Sequence, residues 1–202
     1  MCNVFFDRLK ALLPQTVKME IKRLLQNTWE TALYRLSRNS TCKAGELRHI
    51  IFVCKGNICR SAFAEYYLRS ICSKRSFNIE SCGLDVDQGI FSPKEAVIVG
   101  QEFGIKLEEH YSKGLAACEI ENADLIVPME YGQYIRLAAM LPNQRGKIRL
   151  LRDFAPWPDR ITCNINDPFG LGEGEFRRCF LVMAKALDML HIQMSLADKR
   201  QR

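Results

Sequence analysis

The stretch Ile-Ile-Phe-Val-Cys-Lys-Gly-Asn-Ile-Cys-Arg-Ser, from Ile50 to Ser61, restricts the folds open to this chain more than any other. Ile50, Ile51, Phe52 and Val53 are apolar and β-favouring, which predicts a short buried strand, and the segment opening at Ser61 reads as a helix. The loop between them leads a strand into a helix N-terminus. Such a turn aims several backbone N–H groups and the positive end of the helix dipole at one point, a geometry suited to a phosphate-sized anion. A cysteine in that cradle, Cys54, would be held as its thiolate, the nucleophilic form.

The other loop residues suit the same chemistry. Gly56 and Asn57 are types that accept left-handed backbone angles, which converging N–H groups require. The planar fork of Arg60 can hold two phosphate oxygens at once. Ser61 can donate a hydroxyl hydrogen bond to the Cys54 sulfur, stabilising it both as nucleophile and as leaving group. Three other readings of the two loop cysteines stand beside this one: half of a zinc site with Cys59, an inert core cysteine, or a protease nucleophile paired with a distant histidine. The zinc reading lacks a second closely spaced cysteine pair downstream, and the 3 histidines are scattered.

These residues resemble the signature of the low-molecular-weight protein tyrosine phosphatases, a strand followed by Cys-x-Gly-Asn-Ile-Cys-Arg-Ser, which stands whole as Cys54 to Ser61. A second motif of that family, Asp-Pro followed by an aromatic, is matched by Asp167-Pro168-Phe169. The likeness runs from about His49 to the last helix. It implies a phosphotyrosine protein as substrate, a phosphocysteine intermediate on Cys54, and no metal or other cofactor. It implies that Arg60 and the loop N–H groups from Lys55 through Gly56, Asn57, Ile58 and Cys59 hold the phosphate, and that Asp167 is the general acid and later the base. It further gives Ser81 a supporting hydrogen bond to the loop through Asn57, Phe169 the wall of the substrate cleft, and Cys59 a reversible disulfide with the nucleophile under oxidation. The partner class that many bacterial relatives imply is a tyrosine kinase of a polysaccharide-export system.

Departures from the family pattern bear on substrate. Leu84 to Gly89 lacks the aromatic often found after the Ser-Ala-Gly segment, here Ser81-Cys82-Gly83. Relatives favouring phosphoarginine tend to have Thr where Ile58 stands, so Ile58 favours phosphotyrosine. Lys55 adds attraction for acidic substrates, and Ala62 replaces the usual Pro. Two rivals on the same fold are a thiol-dependent arsenate reductase, which needs two further relay cysteines, and a non-catalytic phosphate-binding module.

Beyond the loop, helix and strand signals alternate, the order that builds a parallel sheet with helices on both faces. The expected strands are near Phe77–Ser81, Asp124–Pro128 and Ile148–Leu151, making a three-layer, four-stranded α/β sheet with the first. Ser92-Pro93 is expected to start a helix reaching about Phe103, Ser112 another short one, and Glu173–Met194 the closing one. Residues 1–46 are read as a helical N-terminal extension and 47–202 as the phosphatase domain. The extension should hold helices over Asn3–Leu13 and Thr16–Arg38, with Asn39–Gly45 as linker. In the second, Val17, Ile21, Leu24, Leu25, Trp29, Ala32, Leu33 and Leu36 share one side. That face could pack on the domain, dock on a membrane surface or a partner, or form a dimer contact.

Charge locates rather than identifies. The net +6 divides into +4 for residues 1–46 (eight Lys/Arg against four Asp/Glu) and +2 for the rest, too little to argue for nucleic acid. No signal-peptide pattern and no continuous apolar run of roughly 18 residues is present, so the expected compartment is the cytoplasm. The 9 irregularly spaced cysteines suit reduced thiols better than a disulfide framework.

Overall fold

The structure is a computed structural model that describes residues 14–38, 47–72 and 77–199. The helix expected over Asn3–Leu13 and the linker Asn39–Gly45 lie outside the described residues. In chain order the main elements are α1 (Gln15–Ser37), β1 (His49–Cys54), α2 (Arg60–Ile71), β2 (Asn78–Gly83), α3 (Lys94–Glu102), β3 (Leu125–Pro128), α4 (Tyr131–Met140) and α5 (Glu173–Lys199), with short 3-10 turns between them.

The sheet is parallel, in the order β2-β1-β3. Its central strand β1 pairs from His49↔Asn78 to Cys54↔Gly83 on one side and from Ile50↔Leu125 to Val53↔Pro128 on the other. Side chains of a strand alternate between faces, so the apolar run of β1 feeds two cores. Ile50 and Phe52 join Phe63, Phe176, Phe180 and Leu187 beneath α2, α3 and α5. Ile51 and Val53 join Tyr34, Tyr134, Leu137 and Ile148 beneath α4. Over Glu173–Leu196, α5 is long and apolar enough to cross a bilayer by length and composition, but Phe176, Phe180, Met183, Leu187 and Leu190 are buried in the core.

The fourth strand expected at Ile148–Leu151 is reduced to one parallel bridge, Ile126↔Ile148, sealed by Arg149 N–H to the Ile126 carbonyl at 3.0 Å. Leu151–Phe154 winds at once into a 3-10 turn, so no ladder follows and the sheet has three strands among the described residues. Nor does Ser92 cap a helix: Pro93 is the N-cap of α3, and the Ser92 hydroxyl is buried without a partner among the described residues.

The larger departure is in α1. Its docked face is polar, with Asn27, Glu30, Thr31 and Tyr34 at i, i+3, i+4 and i+7. The Tyr34 hydroxyl donates to Asp153 at 2.5 Å and accepts from Leu150 N–H at 3.1 Å, the Thr31 hydroxyl accepts from Cys163 N–H at 3.0 Å, and Asn164 donates to Asn27 and Glu30. The opposite face holds the apolar stripe in the open, with Leu24 61%, Leu25 64% and Trp29 66% exposed.

Candidate active site

The carboxyl end of β1 delivers Cys54 to the centre of the sheet, where a parallel αβ fold places its ligands. The sulfur is buried and has two close donors: Asn57 N–H at 3.2 Å and the Ser61 hydroxyl at 3.0 Å. Asn57 makes the loop turn back on itself with φ of 54°, the left-handed conformation that its residue type tolerates. Gly83, opposite Cys54 on β2, lets the loop approach, since a Cβ there would lie 2.8 Å from the Lys55 carbonyl and 3.0 Å from Asn57 N.

A buried chain of hydrogen bonds fixes the nucleophile's surroundings. The Asn57 amide donates to Ser61 at 2.9 Å and to Ser81 at 2.7 Å, while its oxygen accepts from Lys113 N–H at 2.9 Å. Ser81 in turn donates to Glu65, which Arg69 holds at 2.6 Å. Because Asn57 occupies a lone pair of the Ser61 oxygen, the Ser61 proton is directed to the Cys54 sulfur or to the more distant Cys82 carbonyl at 3.3 Å. The Asn57 carbonyl is engaged by His110 Nε2 at 2.7 Å. Burial pushes His110 below its ordinary pKa, so the neutral ring donates that bond.

Arg60 opens α2 and is 2% exposed. Its guanidinium donates to Glu130, to the Ile165 carbonyl at 2.8 Å and to Asp167 at 2.6 Å, and its Nε is buried without a partner among the described residues. Burial alone would lower its pKa, but the negative charges of Glu130, Cys54 and Asp167 outweigh burial and raise it. Asp167 sits on a turn that its own Oδ1 closes by accepting Phe169 N–H at 3.2 Å, with Gly170 at φ of 77°.

Cys54, Lys55, Gly56, Ile58, Cys59, Arg60, Asp167 and Phe169 thus line one cleft of about 220 Å³, together with Asp85. Asn57, Ser61 and Ser81 lie behind it. Burial first, and then Cys54 and Asp167, push the Cys59 thiol well above its ordinary pKa. Glu65, His110, Glu130 and Asp85 escaped the sequence reading. Only Glu65 left a local signal there, four residues after Ser61 on one helix face. Cys118, which is isolated in the sequence, donates its thiol to the Ser81 carbonyl at 3.8 Å.

Comparison with known proteins agrees with this geometry. The family model described as low molecular weight phosphotyrosine protein phosphatase matches residues 49–202. The low molecular weight protein-tyrosine-phosphatase Wzb of Escherichia coli (strain K12) is 32% identical over 138 residues, 68% of this chain and 89% of that protein. Among solved structures, the tyrosine phosphatase AmsI of Erwinia amylovora superposes with a TM-score of 0.65 at 28% identity, covering 73% of this chain and 93% of that one. The YwlE arginine phosphatase of Geobacillus stearothermophilus superposes with a TM-score of 0.64 at 27% identity, covering 76% and 93%.

Proposed function

The chain belongs to the low-molecular-weight phosphotyrosine protein phosphatases, and from that premise we propose how its own residues remove phosphate from phosphotyrosine in proteins. The observation that carries the reading is the convergence of Cys54, Arg60 and Asp167 on a single cleft. Cys54 attacks phosphorus in line, the S–P bond forms as the P–O bond to the tyrosine breaks, and a phosphocysteine results. The loop N–H groups and Arg60 hold the equatorial oxygens, and this fixed electrostatic complement is the largest contribution to rate. A tyrosyl leaving group has a pKa of about 10, so it departs faster when Asp167 hands it a proton. Asp167 then takes a proton from the water that hydrolyses the phosphocysteine. Charge neutralisation by Arg60 and backbone dipoles supplies what a metal ion would otherwise supply.

In the structure Arg60 is held by Glu130 and Asp167, so phosphate exchanges some of those contacts for its own oxygens. Glu130 thereby positions the guanidinium before substrate arrives. Ile58 and Phe169 give the cleft two apolar walls that suit an aryl ring and support phosphotyrosine over phosphoarginine as substrate. A bacterial tyrosine kinase is the protein substrate class we favour, and the cytoplasm the compartment. Residues 1–46 are an extension added to the phosphatase domain of 47–202. The exposed apolar stripe of α1, flanked by Lys18 and Lys22, is suited to peripheral contact with a membrane surface or a partner; sedimentation with anionic vesicles tests the membrane alternative.

The function is tested by turnover of a phosphotyrosine peptide against matched phosphoserine and phosphoarginine peptides, without a thiol reductant cycle. The phosphotyrosine peptide should be hydrolysed fastest, and Cys54→Ser should abolish turnover while vanadate still binds. Equal rates on the three peptides, or turnover by Cys54→Ser, would refute the reading.

A further inference from the structure

A second cavity of about 220 Å³ lies against the loop that carries Asp167; Asp167 lines it as it lines the catalytic cleft, and Pro168 lines this one alone. Its walls carry three arginines from separate parts of the chain: Arg23 of α1, Arg152 after β3, and Arg178 of α5. Two carboxylates also line it, but Asp167 is engaged by Arg60 at 2.6 Å and Glu175 by Arg178 at 3.2 Å. Among the described residues the ion pair of Arg23 is a loose one, to Glu20 at 3.8 Å.

Arg152 is the unusual member. It is half-buried, donates to the Thr162 hydroxyl, and keeps a buried Nε without a partner among the described residues. Among the described residues no carboxylate pairs with it, and Asp159, whose field reaches it, is ion-paired to Lys185 at 3.0 Å. A guanidinium withdrawn from water without a counter-charge is costly, and burial accordingly pushes Arg152 below its ordinary pKa. The mechanism at Cys54 makes no use of it. A planar fork with an unpartnered Nε, seconded by Arg23 and Arg178 in a cavity of this size, is matched by a carboxylate or phosphate group.

We infer that the cavity lined by Arg23, Arg152 and Arg178 is a second oxyanion site, which takes an acidic group flanking the phosphotyrosine of the substrate. This rests on the phosphatase reading and adds a specificity element to it, because Asp167, which lines both, places the two anions in neighbouring cavities. The same chemistry would accept free phosphate, and the two sources are separable.

The test compares phosphotyrosine peptides with glutamate or with glutamine at the flanking positions, reading the ratio of their kcat/KM values in the parent, in Arg152→Met and in Arg23→Ala. The second variant alters an exposed side chain and guards against a folding defect in the first. Calorimetry with inorganic phosphate, in parallel, counts the equivalents bound. The parent should prefer the glutamate peptides by about tenfold, as expected of one charge-assisted contact, and both variants should lose most of that ratio. Two phosphate equivalents in the parent and one in Arg152→Met, with no preference for the glutamate peptides, would keep the oxyanion site and overturn its assignment to the substrate peptide. A ratio near one in the parent, together with a single phosphate equivalent, overturns the inference while aryl phosphate hydrolysis leaves the phosphatase reading intact. If no phosphotyrosine substrate is hydrolysed the phosphatase reading fails, and the phosphate count still decides the second site.

Discussion

Replacing Asn57 separates the two things it does, which are to accept a left-handed backbone and to tie the loop to its surroundings. Its side chain makes three buried or part-buried hydrogen bonds, to Ser61 at 2.9 Å, Ser81 at 2.7 Å and Lys113 N–H at 2.9 Å. At about 1 kcal/mol net for each, Asn57→Gly should cost about 3 kcal/mol. For a domain of this size that is a fall in Tm of about 6–12 °C. Asn57→Ala loses the same bonds and must also hold φ near 54°, which costs an L-residue about 1–2 kcal/mol. Glycine's larger unfolded-state entropy offsets part of that difference, leaving alanine about 0.5–1 kcal/mol the less stable. Urea unfolding, with the midpoint read at constant slope, measures both steps. The same two proteins should show slowed alkylation of Cys54 by iodoacetate, since the Ser61 proton is no longer directed to its sulfur. A glycine variant as stable as the parent would refute the hydrogen-bond argument, and an alanine variant as stable as the glycine one would refute the backbone argument.

Three further outcomes follow from the site. Asp167→Asn should slow hydrolysis of a phenyl phosphate at least tenfold more than that of a nitrophenyl phosphate, because only the poorer leaving group needs the proton; equal losses would remove Asp167 from the acid role. Peroxide should inactivate the parent reversibly, and Cys59→Ser should make the loss resistant to dithiol rescue, as a thiol beside the oxidised sulfur is what traps it; full recovery of the variant would leave Cys59 as packing and turn attention to Cys82. His110 is held below the ordinary histidine value, so above about pH 6.5 neither state is protonated and the ring costs nothing, whereas below it the unfolded chain takes up the proton first and stability falls. His110→Gln should flatten that acid-side loss in urea midpoints between about pH 6.5 and 5, and parallel curves would refute the assignment.

How much of this was legible beforehand depended on whether the information is local. The strand, loop and helix from Ile50 onward could be read directly, because β-favouring residues, a left-handed position and a helix start act through neighbouring dihedral angles. Helices on both faces of a parallel sheet followed from the order of helix and strand signals. Asp167 could be placed in the site only through a family motif, since nothing near it in the chain announces a carboxylate that meets Arg60 from 107 residues away. Glu130 and His110 reach the loop by contacts of the same long-range kind, and Ile148 forms a bridge rather than a strand because Leu151 turns away from the sheet.

In α1 the periodicity correctly gave a helix with one apolar stripe, and the chain's own hydrogen-bonding needs decided which way it faces. The backbone N–H groups of Cys163 and Leu150 lie where α1 docks, and the hydroxyls of Thr31 and Tyr34 are what satisfies them. An amphipathic pattern fixes which residues share a face, a property of one helix. Which face is covered depends on the donors and acceptors presented by the surface opposite, and those exist only once the rest of the chain has folded.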